Sequence, residues 1–280
     1  MTVASKQDKA TDVAMHSTRT FWNSSPCNGQ ENLAARKKYR YRSEPWLPGY
    51  MKRIGETHKN VIEIGSGLGT DALTCCLHLP EDGSYRGIDY SNESVAKAEE
   101  ALKEAKTENW DIKVEPTFQV GDAESLEFKS NSLECVFSFG VLHHTAHPQR
   151  AFDEVYRVLE PGGKAYILLY RRWALKVAAA KVLRAFQHGV DFITRRERTI
   201  YQLIDGRHLE SLMGTAVLEC FGVPYLDCFD KREIERFFSD FEIDSLYPIG
   251  YSLPWFHSDP SSLGPFGYYW AIEVTKPQNS

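Results

Sequence analysis

The sequence of 280 residues predicts an α/β protein with a doubly wound, mostly parallel sheet of seven strands. Short apolar runs alternate along the chain with segments of helical periodicity, which is typical of a parallel sheet covered by helices on both faces. The first apolar run ends in a glycine-rich turn before a helix, as ligand-binding strands of such sheets do. The length suffices for one sizeable core, and 42% hydrophobic with 25% charged residues is ordinary for a soluble globular protein.

Five strands are predicted in the first 170 residues, and each is a short, nearly continuous apolar run bounded by turn residues. They are Val61–Gly65, Tyr85–Asp89, Thr117–Asp122, Leu133–Gly140 and Lys164–Tyr170. Helices are predicted between them at Thr70–Leu79, at Asn92–Lys106 and from Ala151 to the Pro161-Gly162-Gly163 stop. The alternation of strand and helix predicts a parallel sheet with helices on both faces.

The flanking regions follow a different pattern. A helix is predicted over Glu31–Arg42, stopped by Pro45 and Pro48. After Tyr170 the regular alternation ends, and helices are predicted over Trp173–Phe186 and Lys231–Ser239. Two late strands, Phe241–Pro248 and Gly267–Lys276, then complete the sheet.

These elements divide the chain into five parts. They are a flexible polar arm (1–20), an N-terminal helical lid (21–55), a ligand-binding core (56–170), a helical cap (171–240) and the closing strands (241–280). The cap is inserted between strands five and six, at the end of the sheet where ligands bind in such folds. It is therefore expected to shape the ligand site.

Composition excludes several classes of function. A net charge of −5 gives no general attraction to nucleic acid, and no run approaches the roughly 20 apolar residues of a membrane span. We therefore expect no nucleic-acid partner and no stable membrane insertion. The N-terminus lacks the apolar segment of a secretory signal, and no two of the six cysteines have C-x-x-C spacing. A reduced, cytoplasmic compartment without structural zinc fits these features.

The glycine turn between the first strand and helix, Gly65 to Gly69, predicts a cofactor site. Glycines let the backbone turn sharply and approach a ligand closely. Asp89 ends the next strand about twenty residues later, where an acid can accept hydrogen bonds from ribose hydroxyls. The G-x-G-x-G spacing departs from the G-x-G-x-x-G of nicotinamide sites. The alternative is a plain tight turn in which Asp71 caps the following helix.

Five segments together resemble the class I S-adenosylmethionine (SAM)-dependent methyltransferases, which have a Rossmann-like fold. They are VIEIGSGLGTD (Val61–Asp71), Asp89, Gly121-Asp122-Ala123, SFGVLHH (Ser138–His144) and YRVLEPGGKAYI (Tyr156–Ile167). Their order and spacing are similar to the small-molecule branch that includes quinone and specialised-metabolite methyltransferases. The FWNSSPCN and YRYRSEP segments and PYLDCFDKREIERFF match more loosely, and Ser66 stands where the family often has cysteine or alanine.

The resemblance implies SAM as cofactor and a set of residues that bind it. Those residues are Trp22, Tyr41, Glu63, Gly65, Ser66, Gly67, Gly69, Asp71, Asp89, Tyr90, Asp122, Ala123 and Phe139. In the family the strand-two acid binds ribose and the acid after strand three accepts from the adenine amino group. Trp22 and Tyr41 are candidates for aromatic contact with the sulfonium or for a lid, with ordinary packing as the alternative.

The acceptor side is predicted around the end of strand four. His144 is the candidate general base, because a histidine can remove a proton from an acceptor near neutral pH. A hydrogen-bonded structural histidine is the alternative. His143, Tyr251 and Trp255 are candidate acceptor contacts. His143 and His147 have the spacing of helical metal ligands, but Pro148 opposes a helix there, so no metal is predicted.

Three hypotheses follow for function. The first is a methyltransferase that modifies oxygen, nitrogen, carbon or sulfur of a small molecule, in specialised metabolism. The second is a quinone-type methyltransferase that reaches a lipid-tailed substrate at a membrane surface through the cap helix. The third is a non-catalytic SAM-binding scaffold. The apolar cap helix and the free arm are also compatible with a homodimer.

Overall fold

A mixed, mostly parallel sheet forms the centre of the fold. The computed structural model describes residues 18–24, 32–204, 223, 225–250 and 267–278. Seven strands lie within these ranges: β1 Asn60–Ile64, β2 Ser84–Asp89, β3 Thr117–Val120, β4 Leu133–Phe139, β5 Leu159–Tyr170, β6 Glu242–Ile249 and β7 Tyr269–Thr275. Their order in the sheet is β3-β2-β1-β4-β5-β7-β6.

Helices cover both faces of this sheet. In chain order the described ones are α1 (residues 18–24), α2 Leu33–Ser43, α3 Leu47–Thr57, α4 Thr70–Cys75, α5 Asn92–Thr107, α6 Pro148–Val158, α7 Leu175–Thr194, α8 Thr199–Leu203 and α9 Lys231–Phe237. A short 3₁₀ turn, Leu142–His144, follows β4. None of the helices within the described ranges is both long enough and apolar enough to cross a bilayer.

The topology confirms the predicted doubly wound fold. β1 pairs in parallel with both β2 and β4, so the chain winds in opposite directions from the centre of the sheet. β7 is antiparallel to its two neighbours, β5 and β6. The carboxyl ends of β1 and β4 thus form the crevice at which ligands bind in open α/β sheets.

Alternating side chains of the central strands supply two hydrophobic cores. Along β4, Cys135 and Phe137 face the core formed with α3 and α4, whereas Val136 faces the core formed with α6 and α9. Because both faces are buried, the strand reads in the sequence as a continuous apolar run. Burial at this centre fixes the strand ends that carry the site.

The helix α3 differs from the sequence-based expectation. Pro45 and Pro48 were expected only to end the upstream helix, which indeed stops at Ser43. Pro48 instead lies in the first turn of a new helix, where its missing N–H removes no helical hydrogen bond. Met51 and Ile54 of this helix are fully buried against the sheet.

The cap leaves the sheet after Tyr170 and returns at Phe229. The Phe229 amide donates to the Tyr170 carbonyl at 2.9 Å, and the Arg172 amide donates to the Phe229 carbonyl at 2.9 Å. The two ends of the insert are therefore joined by backbone hydrogen bonds. Between them, α7 extends to Thr194, well beyond the predicted end at Phe186.

Candidate functional site

A cavity opens at the carboxyl ends of β1, β2 and β4, beside the glycine turn. Most of the residues predicted for the cofactor site line it, together with the candidate base His144. They are Trp22, Glu63, Gly65, Ser66, Gly67, Asp71, Asp89, Tyr90, Asp122, Ala123, Phe139 and His144. The topology of the sheet thus brings residues from separate strands and from α1 to one place.

The glycine turn is held against β2 and opens into the cavity. The amides of Gly65 and Ser66 both donate to the Ile88 carbonyl, at 2.7 and 3.0 Å. Gly65 has φ 80° and packs so closely on Val141 that an added Cβ would lie 2.1 Å from its side chain. At Gly67, φ 51°, a Cβ would meet nothing within 4 Å. Of these two glycines, only Gly67 therefore offers free space for a ligand beside the backbone.

Two acids from neighbouring strands line the same wall. The Asp89 carboxylate accepts from the amides of Gly67 at 2.8 Å and Ser91 at 2.9 Å, and Asp122 accepts from the Glu124 amide at 2.8 Å. Burial raises the pKa of both carboxyls above their usual range, since a low-polarity environment disfavours the charged form. Donors on a ligand would restore the favourable environment of these carboxylates.

Glu63 is the most buried acid of the cavity wall. Its carboxyl accepts from the Tyr85 hydroxyl at 2.8 Å. Burial, reinforced by the nearby negative charge of Asp71, raises the pKa of Glu63 to about 8. A shift in this direction favours the protonated carboxyl at neutral pH.

Arg40 of α2 is a site residue that the sequence analysis missed. Its Nε and Nη2 atoms donate to Asp71 at 3.2 and 2.6 Å, and its guanidinium lies 4.4 Å from the centre of the Phe139 ring. The Tyr41 hydroxyl also contacts Asp71, at 3.3 Å, and lies 2.5 Å from Thr74 Oγ1. Asp71 is thus an ion-pair partner. The capping alternative is not seen, since α4 has no side-chain cap.

The first described helix, α1, closes one side of the cavity. The Arg19 guanidinium lies 4.2 Å from the centre of the Tyr90 ring, and the Ser91 hydroxyl donates to the Trp22 carbonyl at 3.4 Å. The Trp22 ring is 5.7 Å from that of His144. Aromatic surface from α1 therefore faces the candidate base across the cavity.

One hydrogen bond of His144 determines which nitrogen of the neutral ring carries the proton. Its Nδ1 lies 2.6 Å from the Tyr225 carbonyl, an acceptor that requires Nδ1 to carry the proton. In the neutral ring the lone pair is then on Nε2. The side chain is buried and belongs to the cavity wall.

His143 occupies a different environment. It is fully buried, neither ring nitrogen has a hydrogen-bond partner among the residues that the structure describes, and its ring centre lies 3.9 Å from that of Tyr170. Burial lowers its pKa well below the usual value, so the ring is neutral. His143 does not line the cavity but packs beneath His144.

Other predicted site residues also lie away from the cavity wall. Tyr41 does not line the cavity, but its hydroxyl contacts two residues that do, Thr70 and Asp71. Gly69 has φ 75° at the start of α4, and a Cβ there would lie 3.0 Å from Ala98, so this glycine permits close packing on α5. Tyr251 and Trp255 lie outside the described residues.

The charged and polar residues of the cavity wall indicate which kind of ligand fits the cavity. Among the described residues that line the cavity, several acids accompany one arginine, and the buried Ser66 hydroxyl has no hydrogen-bond partner within the described part of the chain. Carboxylates at the ends of adjacent strands and an open glycine turn fit a nucleoside, and the acidic excess fits a cationic tail. No cluster of three metal-binding side chains occurs among the residues described.

Comparisons with known proteins agree with this arrangement. Residues 62–167 match a methyltransferase domain family. An arsenite methyltransferase of Halobacterium salinarum is 34% identical over 113 residues, which cover 40% of this chain and 27% of the relative. A ubiquinone/menaquinone biosynthesis C-methyltransferase of Rickettsia bellii is 28% identical over 130 residues, 45% of this chain and 50% of the relative.

A solved SAM-dependent methyltransferase of Aquifex aeolicus has the same fold. It superposes with a TM-score of 0.52 at 12% identity, over 88% of this chain and all of the other. The chain spans half or less of the length of the two curated relatives. The family match, residues 62–167, extends from β1 to β5 and includes the glycine turn. Residues 62–167 are therefore similar to a methyltransferase domain, and the chain has the fold of class I SAM-dependent methyltransferases, whose methyl donor is S-adenosyl-L-methionine.

Proposed function

We propose that the chain transfers a methyl group from SAM to a small-molecule acceptor. The observation that carries the proposal is that Asp89, Asp122 and His144, from three separate strand ends, line one cavity. When bound, SAM supplies a methyl group on a positively charged sulfur. The protein then has mainly to align the acceptor and exclude water, and positioning of this kind contributes up to roughly 7–11 kcal/mol.

The wall residues divide into roles along the cofactor. We assign the ribose hydroxyls to Asp89 and the adenine amino group to Asp122, each of which is already oriented by a backbone amide. Gly67 allows close approach of the backbone, and the unpartnered Ser66 hydroxyl can bind a polar atom of the cofactor. Tyr90 and Ala123 complete this half of the wall.

The methionine end of the cofactor fits the Arg40–Asp71 pair. Arg40 uses Nε and Nη2 on Asp71, and we assign its Nη1 donors to the methionine carboxylate. Asp71 and Glu63 are suited to the ammonium group. Its positive charge would favour release of the Glu63 proton, because an opposite charge stabilises the carboxylate.

On the acceptor side, His144 is the proposed general base. The Tyr225 carbonyl fixes its orientation, so that Nε2 receives the acceptor proton and the imidazolium charge is stabilised by that same carbonyl. Trp22 and the other described residues of the 21–55 lid would exclude water. His143, Tyr251 and Trp255 remain proposed acceptor-side residues, of which His143 acts through its packing beneath His144.

A lipid-tailed, quinone-type acceptor is the second candidate. It is favoured by the position of α7, which begins shortly after the cavity residue Tyr170 and exposes apolar side chains. The similarity to the quinone-biosynthesis methyltransferase is consistent with it. A specialised metabolite without a lipid tail remains the first candidate.

A screen for SAM consumption against metabolite pools tests the proposal. A product heavier than its precursor by one methylene group is expected. His144→Ala should lower turnover at least about a hundredfold, the usual contribution of a general base, while the Kd for SAM stays within about threefold. His188→Ala, at an exposed position of α7, is the matched control. Full activity of the His144 variant would exclude it from the chemistry.

A further inference from the structure

The helix α7 exposes a stripe of large apolar side chains. Its outward face carries Val182, Phe186 and Ile193, exposed by 69%, 65% and 80%, and Phe192 beside them is 87% exposed. These positions follow helical spacing, so they form one continuous stripe. Exposed Ala178 and Ala179 extend the stripe toward the start of the helix.

Two polar side chains of α7, Gln187 and Asp191, turn inward. Gln187 is 3% exposed, and its amide donates to both carboxylate oxygens of Asp191 at 2.8 Å. Asp191 accepts in turn from the backbone amides of Arg198 at 3.0 Å and Thr199 at 2.8 Å. Gln187 and Asp191 thus join α7 to α8. The apolar stripe faces outward on the other side of the helix. A continuous stripe of exposed, large apolar side chains is typical of an interaction surface.

Charge distinguishes among the partners that could cover this face. Residues 171–204 contain eight lysines and arginines but only two acids, a net charge of +6 in a chain whose total is −5. Exposed Lys181 flanks the stripe, and exposed Arg195 and Arg196 follow its end. Trp173, 74% exposed, lies just before the helix. Basic residues and an aromatic residue around an apolar helix face are typical of segments that lie in a membrane interface.

We propose that α7 docks the protein on an anionic phospholipid surface, with its apolar stripe at the acyl boundary and its basic flanks at the headgroups. A second copy is a poorer occupant, since a two-fold interface on this face would bring the exposed Lys181, Arg195 and Arg196 of both copies close together. The docking is independent of the proposed methyl transfer and can be measured without SAM.

Co-sedimentation of the full chain with vesicles tests this proposal. Binding is expected to vesicles of phosphatidylcholine with phosphatidylglycerol, and to be at least tenfold weaker with phosphatidylcholine alone. Salt at about 1 M, where the screening length is near 3 Å, should weaken the binding of the protein to the anionic vesicles. Absence of binding to the anionic vesicles would overturn the proposal.

Two variants separate the stripe from non-specific adhesion. Phe186→Ser/Phe192→Ser should lower the partition coefficient at least tenfold, because two exposed aromatic rings are lost from the interface. Ile243→Ser, at a 38% exposed position of β6, is the control and should bind as the unmodified chain does. Equal binding by the double variant would contradict the assignment. So would a dimer that the double variant abolishes while no vesicle binding occurs.

Discussion

Arg40 connects the N-terminal helices to the cofactor wall through one ion pair. Its partner Asp71 is 8% exposed and Arg40 is 21% exposed, so the two charges are largely screened from water by the protein. Loss of either partner leaves the other charge poorly solvated, which costs more than the net value of the pair. Arg40 therefore contributes to stability and also lies where the cofactor would bind.

Removal of the guanidinium should have a measurable cost. Arg40→Ala is expected to lower the free energy of unfolding by about 2–3 kcal/mol, because Asp71 loses its charged donor. Urea denaturation measures this change. The double variant Arg40→Ala/Asp71→Asn should recover part of the loss, since no uncompensated carboxylate remains. Equal destabilisation in both variants would show that the pair acts through packing alone.

Glu63 should make stability depend on pH. Its pKa is about 8 in the folded protein against 4.5 for an unperturbed carboxyl, so between these values the folded state keeps a proton that the unfolded chain has released. Stability from this group is then full below pH 4.5 and is lost as the pH rises through about 8. In Glu63→Gln this loss should vanish, as measured by urea unfolding without SAM. Glu99→Gln, at an exposed position of α5, should retain the dependence of the unmodified chain.

Sequence patterns predict some of these residues and not others. Gly67, Asp89 and Asp122 were recognisable because their positions follow directly from strand ends. Arg40 was not, because its partner lies 31 residues away and only the packing of α2 on α4 brings them together. Paired groups of this kind carry no local signal in the chain.

At the scale of elements, α3 illustrates how a proline can be misread. Proline disfavours a helix interior but is well tolerated in the first turn, so Pro48 begins a helix instead of ending one. The strands were predicted more closely than the helices, because burial on both faces gives them uninterrupted apolar runs. The inward direction of Gln187 and Asp191 on α7 depends on hydrogen bonds to the start of α8, which periodicity alone does not reveal.

The burial of α3 predicts a large effect from a single truncation. Ile54→Ala should lower the free energy of unfolding by about 2–5 kcal/mol, because the fully buried side chain leaves a cavity between helix and sheet. Chemical denaturation gives the value. Lys52→Ala on the exposed side of the same helix should change it by less than about 0.5 kcal/mol. A small effect at Ile54 would mean that α3 is not part of the cooperative core.

For the whole molecule, the cofactor site should couple to global unfolding. SAM at a hundred times its Kd should add about 2.7 kcal/mol to the free energy of unfolding, since it binds only the folded state. Asp89→Ala should weaken binding at least tenfold and reduce this gain to about 1.4 kcal/mol or less at the same concentration. Asp82→Ala, at a 75% exposed position, should leave the gain unchanged. A complete lack of stabilisation in the unmodified chain would contradict cofactor binding.

The closure of the cap at Tyr170 and Phe229 has an evolutionary consequence. Because its two ends are hydrogen bonded to each other, the excursion can change length or sequence without displacing the strands. A doubling of such a loop costs only about 0.6 kcal/mol in closure entropy. New acceptors can therefore be acquired by changes within the segment between these two residues, while the cofactor-binding residues at the ends of β1 to β3 keep their positions.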